Sequence, residues 1–284
     1  MLNMMKKIAL IIGILTILIA ISTFLFYRVN AEGKLDRQKY VQSTTPTLFF
    51  HGYGSSANAE RHMTNAAKKA GVTKTVIRAN VDRNGAVTLG GDIPKGAINP
   101  IVEVNYEDNR NPIDVGRYAK AVVSKLQEKY GFTKMNMVGH SLGNMSILYY
   151  LLEHAQDEKL PQLQKQVNIA NFAAGLEAMG LPADVKVDKT TGKPNQVTQT
   201  FQRLLPLREV FPQNQIDVLN IYGDYKNGSD GSVLNASSRS LKYLVADNAK
   251  SYQEKKIIGK LAQHSQLHEN PEVDKILIQF LWGK

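Results

Sequence analysis

Residues 139–143 read Gly-His-Ser-Leu-Gly, between the apolar run KMNMV and the segment NMSILYYLLEH. A strand passing straight into a helix leaves room only for a tight turn, in which a non-glycine residue is held in an unfavourable backbone conformation. Glycine on either side removes the Cβ atoms that would collide with the flanking elements. Such a turn lifts the Ser141 hydroxyl above the sheet edge, while the free N–H groups at the start of the next helix point at the same spot. Nucleophilic attack by that hydroxyl on a carbonyl, with the resulting oxyanion held by backbone donors, is the chemistry this arrangement suits. The competing reading is a serine that only caps the helix.

Three further groups are needed, and each has a candidate. The run LFFHGYG puts His51-Gly52-Tyr53-Gly54 after a short apolar stretch. Its glycines let main chain approach closely, so the backbone N–H of Tyr53, with that of Leu142, is the expected oxyanion pair. A serine also needs a base, most often histidine. Of six histidines, His51 and His140 belong to the two turns, His62 falls on an expected surface helix, and His154 ends the helix after Ser141. His264 and His268 remain, in AQHSQLHENPEV. The imidazole must be oriented by a carboxylate, and IYGDYKNGSDGSVLNASS offers Asp224 and Asp230.

These residues depend on elements that bring them to one edge. Short apolar runs at 47–50, 75–81, 99–106, 134–138, 166–174, 215–223 and 252–259 are expected strands, with glycines and a proline marking turns or a hairpin between the second and third. Helical spacing of apolar or alanine residues covers 58–70, 113–130, 142–154 and 273–282, and Gly131 is a good helix-ending residue. Strands alternating with helices imply an α/β protein with a mainly parallel sheet covered on both faces. The stretch between the strands at 166 and 215 is rich in proline, lysine and threonine and fits no regular connection.

Taken as a set and in this order, FFHGYGSSANAE, MVGHSLGNMS, GDYKNGSDGSVLNASS and AQHSQLHENPEV resemble the α/β-hydrolase superfamily. More closely, they are similar to an exported, functionally uncharacterised α/β-hydrolase family of Gram-positive cell surfaces. The resemblance covers about residues 46–284 and implies the α/β-hydrolase fold, with residues 176–214 where many members insert a cap. It also implies a chain order of nucleophile, acid, base. Ser141 matches the nucleophile. Asp230 followed by Val233 fits the second half of the common G-x-x-D-x-x-V, whereas Asp224 has Asn227 in that place. His264, with Glu269, Pro271 and Glu272, matches H-x-x-x-x-E-x-P-E, and His268 is the second choice. The implied activity is serine-dependent ester hydrolysis, with acyl transfer, thioester cleavage or a purely binding role as alternatives. No metal or organic cofactor is expected. The apolar run LLPLREVF within 176–214, together with an expected external location at the membrane, suggests acyl or lipid esters.

The amino terminus has a different composition. Lys6 and Lys7 precede an uncharged apolar run from Ile8 to Tyr27, long enough to span a bilayer as a helix, and Val29-Asn30-Ala31 resembles a signal-peptidase site. Residues 1–31 are therefore an expected leader or membrane anchor and 32–45 a linker, with the remainder exported. Cysteine is absent, which removes disulfides and thiolate chemistry. The chain carries +10; Lys6, Lys7 and Arg28 are the only charges in residues 1–31, leaving +7 for the rest. That excess suits anionic lipids or wall polymers. Its basic residues are scattered and match no nucleic-acid module, so no nucleic-acid partner is expected.

Overall fold

The computed structural model describes residues 13–19, 22 and 34–284. Residues 13–19 are helical, and among the described residues no helix is long and apolar enough to cross a membrane. Most of the apolar run at 8–27, and the cleavage motif after it, lie outside the described residues.

Eight strands form one sheet: β1 (Thr47–Phe50), β2 (Val76–Val81), β3 (Val87–Gly90), β4 (Ile101–Tyr106), β5 (Lys134–His140), β6 (Gln162–Ile169), β7 (Asp217–Asp224) and β8 (Ser251–Ile258). Their spatial order is β3-β2-β4-β1-β5-β6-β7-β8, and only the β2–β3 hairpin is antiparallel. The longer helices are α1 (Arg61–Lys69), α2 (Val115–Tyr130) and α3 (Leu142–His154); α4 (Gln199–Leu204), α5 (Leu207–Val210), α6 (Asn235–Arg239) and α7 (Leu241–Val245) are short, and α8 (Pro271–Trp282) closes the chain.

Pleating sorts the central strands between two cores. Leu48 and Phe50 of β1 face one layer with Val102, Val104 and Met137, under α2 and α3; Phe49 faces the other with Ile101, Val138 and Val167, under α1 and α8. That is why β1 is apolar at consecutive positions, all with 1% exposure or less. Each such burial contributes about 1.5–3 kcal/mol relative to exposure. Helix ends follow local chemistry. Gly131, at φ 69°, ends α2 with its N–H on Gln127 O. The Asn270 side chain caps α8, accepting from Glu272 N at 2.8 Å ahead of Pro271 in the first turn.

Two sequence expectations need correction. The strand expected at 166–174 runs instead over Gln162–Ile169, because Ala170 adopts φ 50° and turns the chain out of the sheet. The apolar residues of 204–211 are also not an open acyl surface: Leu204, Leu207 and Phe211 are at most 1% exposed and belong to the core with α3. Burying these side chains there gains the hydrophobic contribution that a solvated apolar stripe would forgo.

Because β1, β5, β7 and β8 are parallel, the turns that follow them share one edge. Residues 34–45 pack along the opposite edge: Asp36 N–H donates to Gly71 O, Val41 N–H to Trp282 O and Ser43 N–H to Asn99 Oδ1.

Candidate active site

Ser141 sits between β5 and α3 at φ 53°, ψ −118°, a conformation L residues rarely adopt. Its side chain makes no capping bond to α3, so the helix-cap reading does not describe it. Both motif glycines are required by close approach. A Cβ on Gly139 would lie 2.7 Å from Asn144 N and Gly143 C, and one on Gly143 would lie 2.0 Å from Phe50 O. The carbonyl of β1 thus passes where a side chain would be. Since β1 is held on both sides by β4 and β5, neither backbone can yield. Gly143→Ala is expected to cost about 3 kcal/mol or more and to lower Tm by about 10 °C. Gly131→Ala, at positive φ but with open space around it, should cost only about 1 kcal/mol. Thermal unfolding of the two variants checks the contrast.

His264 opens the 3₁₀ turn His264–Glu269 after β8. Its Nε2 lies 2.9 Å from Ser141 Oγ and its Nδ1 2.8 Å from Asp230 Oδ2. The partners assign the protons: Nδ1–H donates to the carboxylate, and Nε2 accepts the serine O–H. Asp230 is 1% exposed, and its second oxygen accepts from the amides of Ser232 at 2.9 Å and Val233 at 2.7 Å. The two turns are joined again through the backbone, His264 N–H donating to Asp230 O at 2.8 Å.

The structure therefore brings together Ser141, His264 and Asp230, and sets the two alternates elsewhere. Asp224 ends β7, where it pairs with Lys256 and accepts from Gly228 N at 3.1 Å; the Lys256 bond holds its carboxyl below the usual range. His268 lies one turn beyond His264, its Nδ1 3.2 Å from Glu269 Oε1 and its ring edge-on to His140. Burial lowers its pKa. Of the expected oxyanion donors, Leu142 N is in the first turn of α3 and Tyr53 follows Gly52, whose Cβ, if present, would lie 3.2 Å from Ser141 Cβ. Neither amide donates in any turn, loop or cap bond among the described residues. Leu142 is buried, while Tyr53 is 61% exposed.

The family model of an alpha/beta hydrolase of unknown function, DUF915, matches residues 34–284. The chain belongs to this family. The match begins before the expected domain start and takes in the segment packed on the lower edge. A solved structure of the lin2722 gene product of Listeria innocua is 26% identical, with a TM-score of 0.74, covering 84% of this chain and 94% of that one. A candidate cell surface hydrolase from Lactobacillus plantarum WCFS1 is 19% identical, with a TM-score of 0.67, covering 84% and 89%. The α/β-hydrolase fold is thereby established. No curated protein matches the chain by sequence.

Two buried groups around the site had no role in the motif reading. His140, the residue before Ser141, is held neutral by burial and by the neighbouring His264 and His268, its pKa well below the usual histidine value. Glu60, at the end of the 3₁₀ turn Ala57–Glu60, is fully buried, and neither carboxyl oxygen has a hydrogen-bond partner among the described residues. Burial first, then the charges of Glu103 and Glu269, raise its pKa well above the ordinary 4.5. Neither could be found by periodicity, since each is defined by what the fold packs against it.

The sign of the Glu60 effect follows from linkage. A raised folded-state pKa means that its contribution to stability is complete below about pH 4.5 and is lost as pH rises through the folded value. Glu60→Gln removes the titration and keeps the shape. The variant's Tm advantage over wild type should be near zero at pH 4, grow as pH rises above about 4.5 and level off once the pH passes the folded value. A pH-independent difference in thermal unfolding would refute it.

Proposed function

We propose that the chain is a serine hydrolase that cleaves carboxylic esters through an acyl-enzyme on Ser141. The observation that carries this reading is the continuous bond from Ser141 Oγ through the His264 ring to Asp230. His264 Nε2 takes the serine proton as Oγ bonds to the substrate carbonyl carbon. The oxyanion accepts from the N–H groups of Tyr53 and Leu142. When the tetrahedral intermediate collapses, the carbon–oxygen bond to the alcohol breaks and His264 returns its proton to the leaving oxygen. Water then attacks the acyl carbon with His264 again as base, releasing the acid and restoring Ser141. Asp230 holds the ring in the required tautomer and balances the imidazolium.

The same proposal places the protein outside the membrane, held or exported by residues 1–31. The run of apolar residues after Lys6 and Lys7 supports it, as does the description of the Lactobacillus plantarum neighbour. Residues 34–45 lie on the edge opposite Ser141. A chain tethered through residues 8–27 would present its site away from the tether, which favours soluble or wall-borne esters over bilayer lipids. Burial of Leu204, Leu207 and Phe211 removes the apolar segment as a ground for long acyl chains, leaving the external membrane location as the other.

A fluorophosphonate probe should label wild type at Ser141, as read by peptide mass, and the purified protein should hydrolyse short aryl esters faster than long-chain ones. No label and no turnover across the series would remove the enzymatic reading. Faster turnover of long chains would remove only the substrate preference.

A further inference from the structure

The residue between Gly139 and Ser141 has no part in the bond relay, yet its side chain contacts the turn that carries the base. His140 is 4% exposed. Its Nε2–H donates to the backbone carbonyl of His264 at 3.0 Å, across 124 residues of sequence. The His264 ring lies against one side of it, with centroids 5.0 Å apart, and the His268 ring is edge-on at 4.8 Å. On the oxyanion side the Gly52 backbone comes so close that a Cβ there would be 3.2 Å from His140 Nδ1.

We propose that His140 is a positioning residue: an imidazole that clamps the base turn to the nucleophile turn and so sets the His264 Nε2 to Ser141 Oγ distance. This rests on the hydrolase reading above. The base turn is a short 3₁₀ segment with an exposed flank, and such turns have few internal bonds to hold them. Its backbone is pinned on both sides of one residue, the His264 amide to Asp230 on the acid turn and the His264 carbonyl to His140 on the nucleophile turn. A buried carbonyl that loses its donor either stays unsatisfied or moves to find water, and moving it carries the imidazole away. A misplacement of about 1 Å in such a site costs about 10²-fold in rate.

The test compares His140→Leu, which keeps bulk and removes the donor, with His140→Gln, whose amide nitrogen can take the place of Nε2. For the Leu variant kcat on a short aryl ester should fall by about 10²-fold, with KM changed by less than about twofold since substrate contacts are untouched. The Gln variant should recover most of the loss. Proton NMR of the same proteins should show the downfield His264 Nδ1–H resonance in wild type and His140→Gln, and its loss in His140→Leu. If the Leu variant does not fold, His140→Asn, whose amide falls short of the carbonyl, replaces it with the same expectation. Wild-type kcat and an unchanged resonance in the donor-free variant would overturn the proposal, as would a loss confined to KM or failure of Gln to rescue. The resonance reports the clamp without turnover, so a wild type that neither labels nor hydrolyses would remove the hydrolase reading and leave this one still decided by the spectra.

Discussion

Ser141→Ala is expected to lower kcat/KM for a short aryl ester by about 10⁶-fold with little change in Tm. The two halves of that result have separate causes. Groups that act as a unit lose nearly the whole of their joint effect when one is removed, and without Oγ neither His264 nor Asp230 has a proton to move. Stability is spared because the hydroxyl caps nothing: the helix after it begins without a side-chain bond from Ser141. A serine that served the fold would show the reverse, with activity retained and about 1 kcal/mol lost. Ester hydrolysis and thermal unfolding on the same preparation separate these. Wild-type turnover by the alanine variant would end the mechanism.

Asp230→Asn should lower kcat by about 10⁴-fold, although the substitution changes no volume. The reason lies on the far side of the carboxylate. Oδ1 of Asp230 accepts from the Ser232 and Val233 amides, and only an oxygen can satisfy two N–H donors. An asparagine is therefore fixed with its carbonyl toward them and its NH₂ toward His264. The ring must then present its lone pair at Nδ1 and its proton at Nε2, facing Ser141, where no proton can be taken up. Asp224→Asn is the matched control. It weakens a partly exposed pair with Lys256, of the kind worth little to stability, and activity should stay near wild type. A rate loss in the Asp224 variant with none in the Asp230 variant would exchange the two assignments.

The elements were legible where their signals are local. Strand and helix positions followed apolar periodicity, and the end of α2 at Gly131 followed from one residue's conformational freedom. The expected strand at 166–174 went wrong at Ala170, where the apolar run continues but the chain turns away. Propensity reads side chains, and nothing in an alanine announces a positive φ. The run LLPLREVF failed differently, because its apolar character was read correctly and its partner was not.

At the site the division is sharper. The amino-acid sequence by itself determined that a serine stands on a strained turn between β5 and α3, since Gly139 and Gly143 serve contacts made within that turn or by the adjacent strand β1. It also narrowed the acid and the base to two residues each. The motif register favoured Asp230 over Asp224 and His264 over His268, and the tertiary structure brings the favoured members, not the alternates, into one bonded line with Ser141. Each pair sits within a few residues of chain, so the difference rests on where the turn aims each side chain: His264 at Ser141, 123 residues away, and Asp230 at His264, 34 residues away. The role inferred for His140 belongs to the same class: its partner is the carbonyl of His264, a group every residue carries and that only packing can single out.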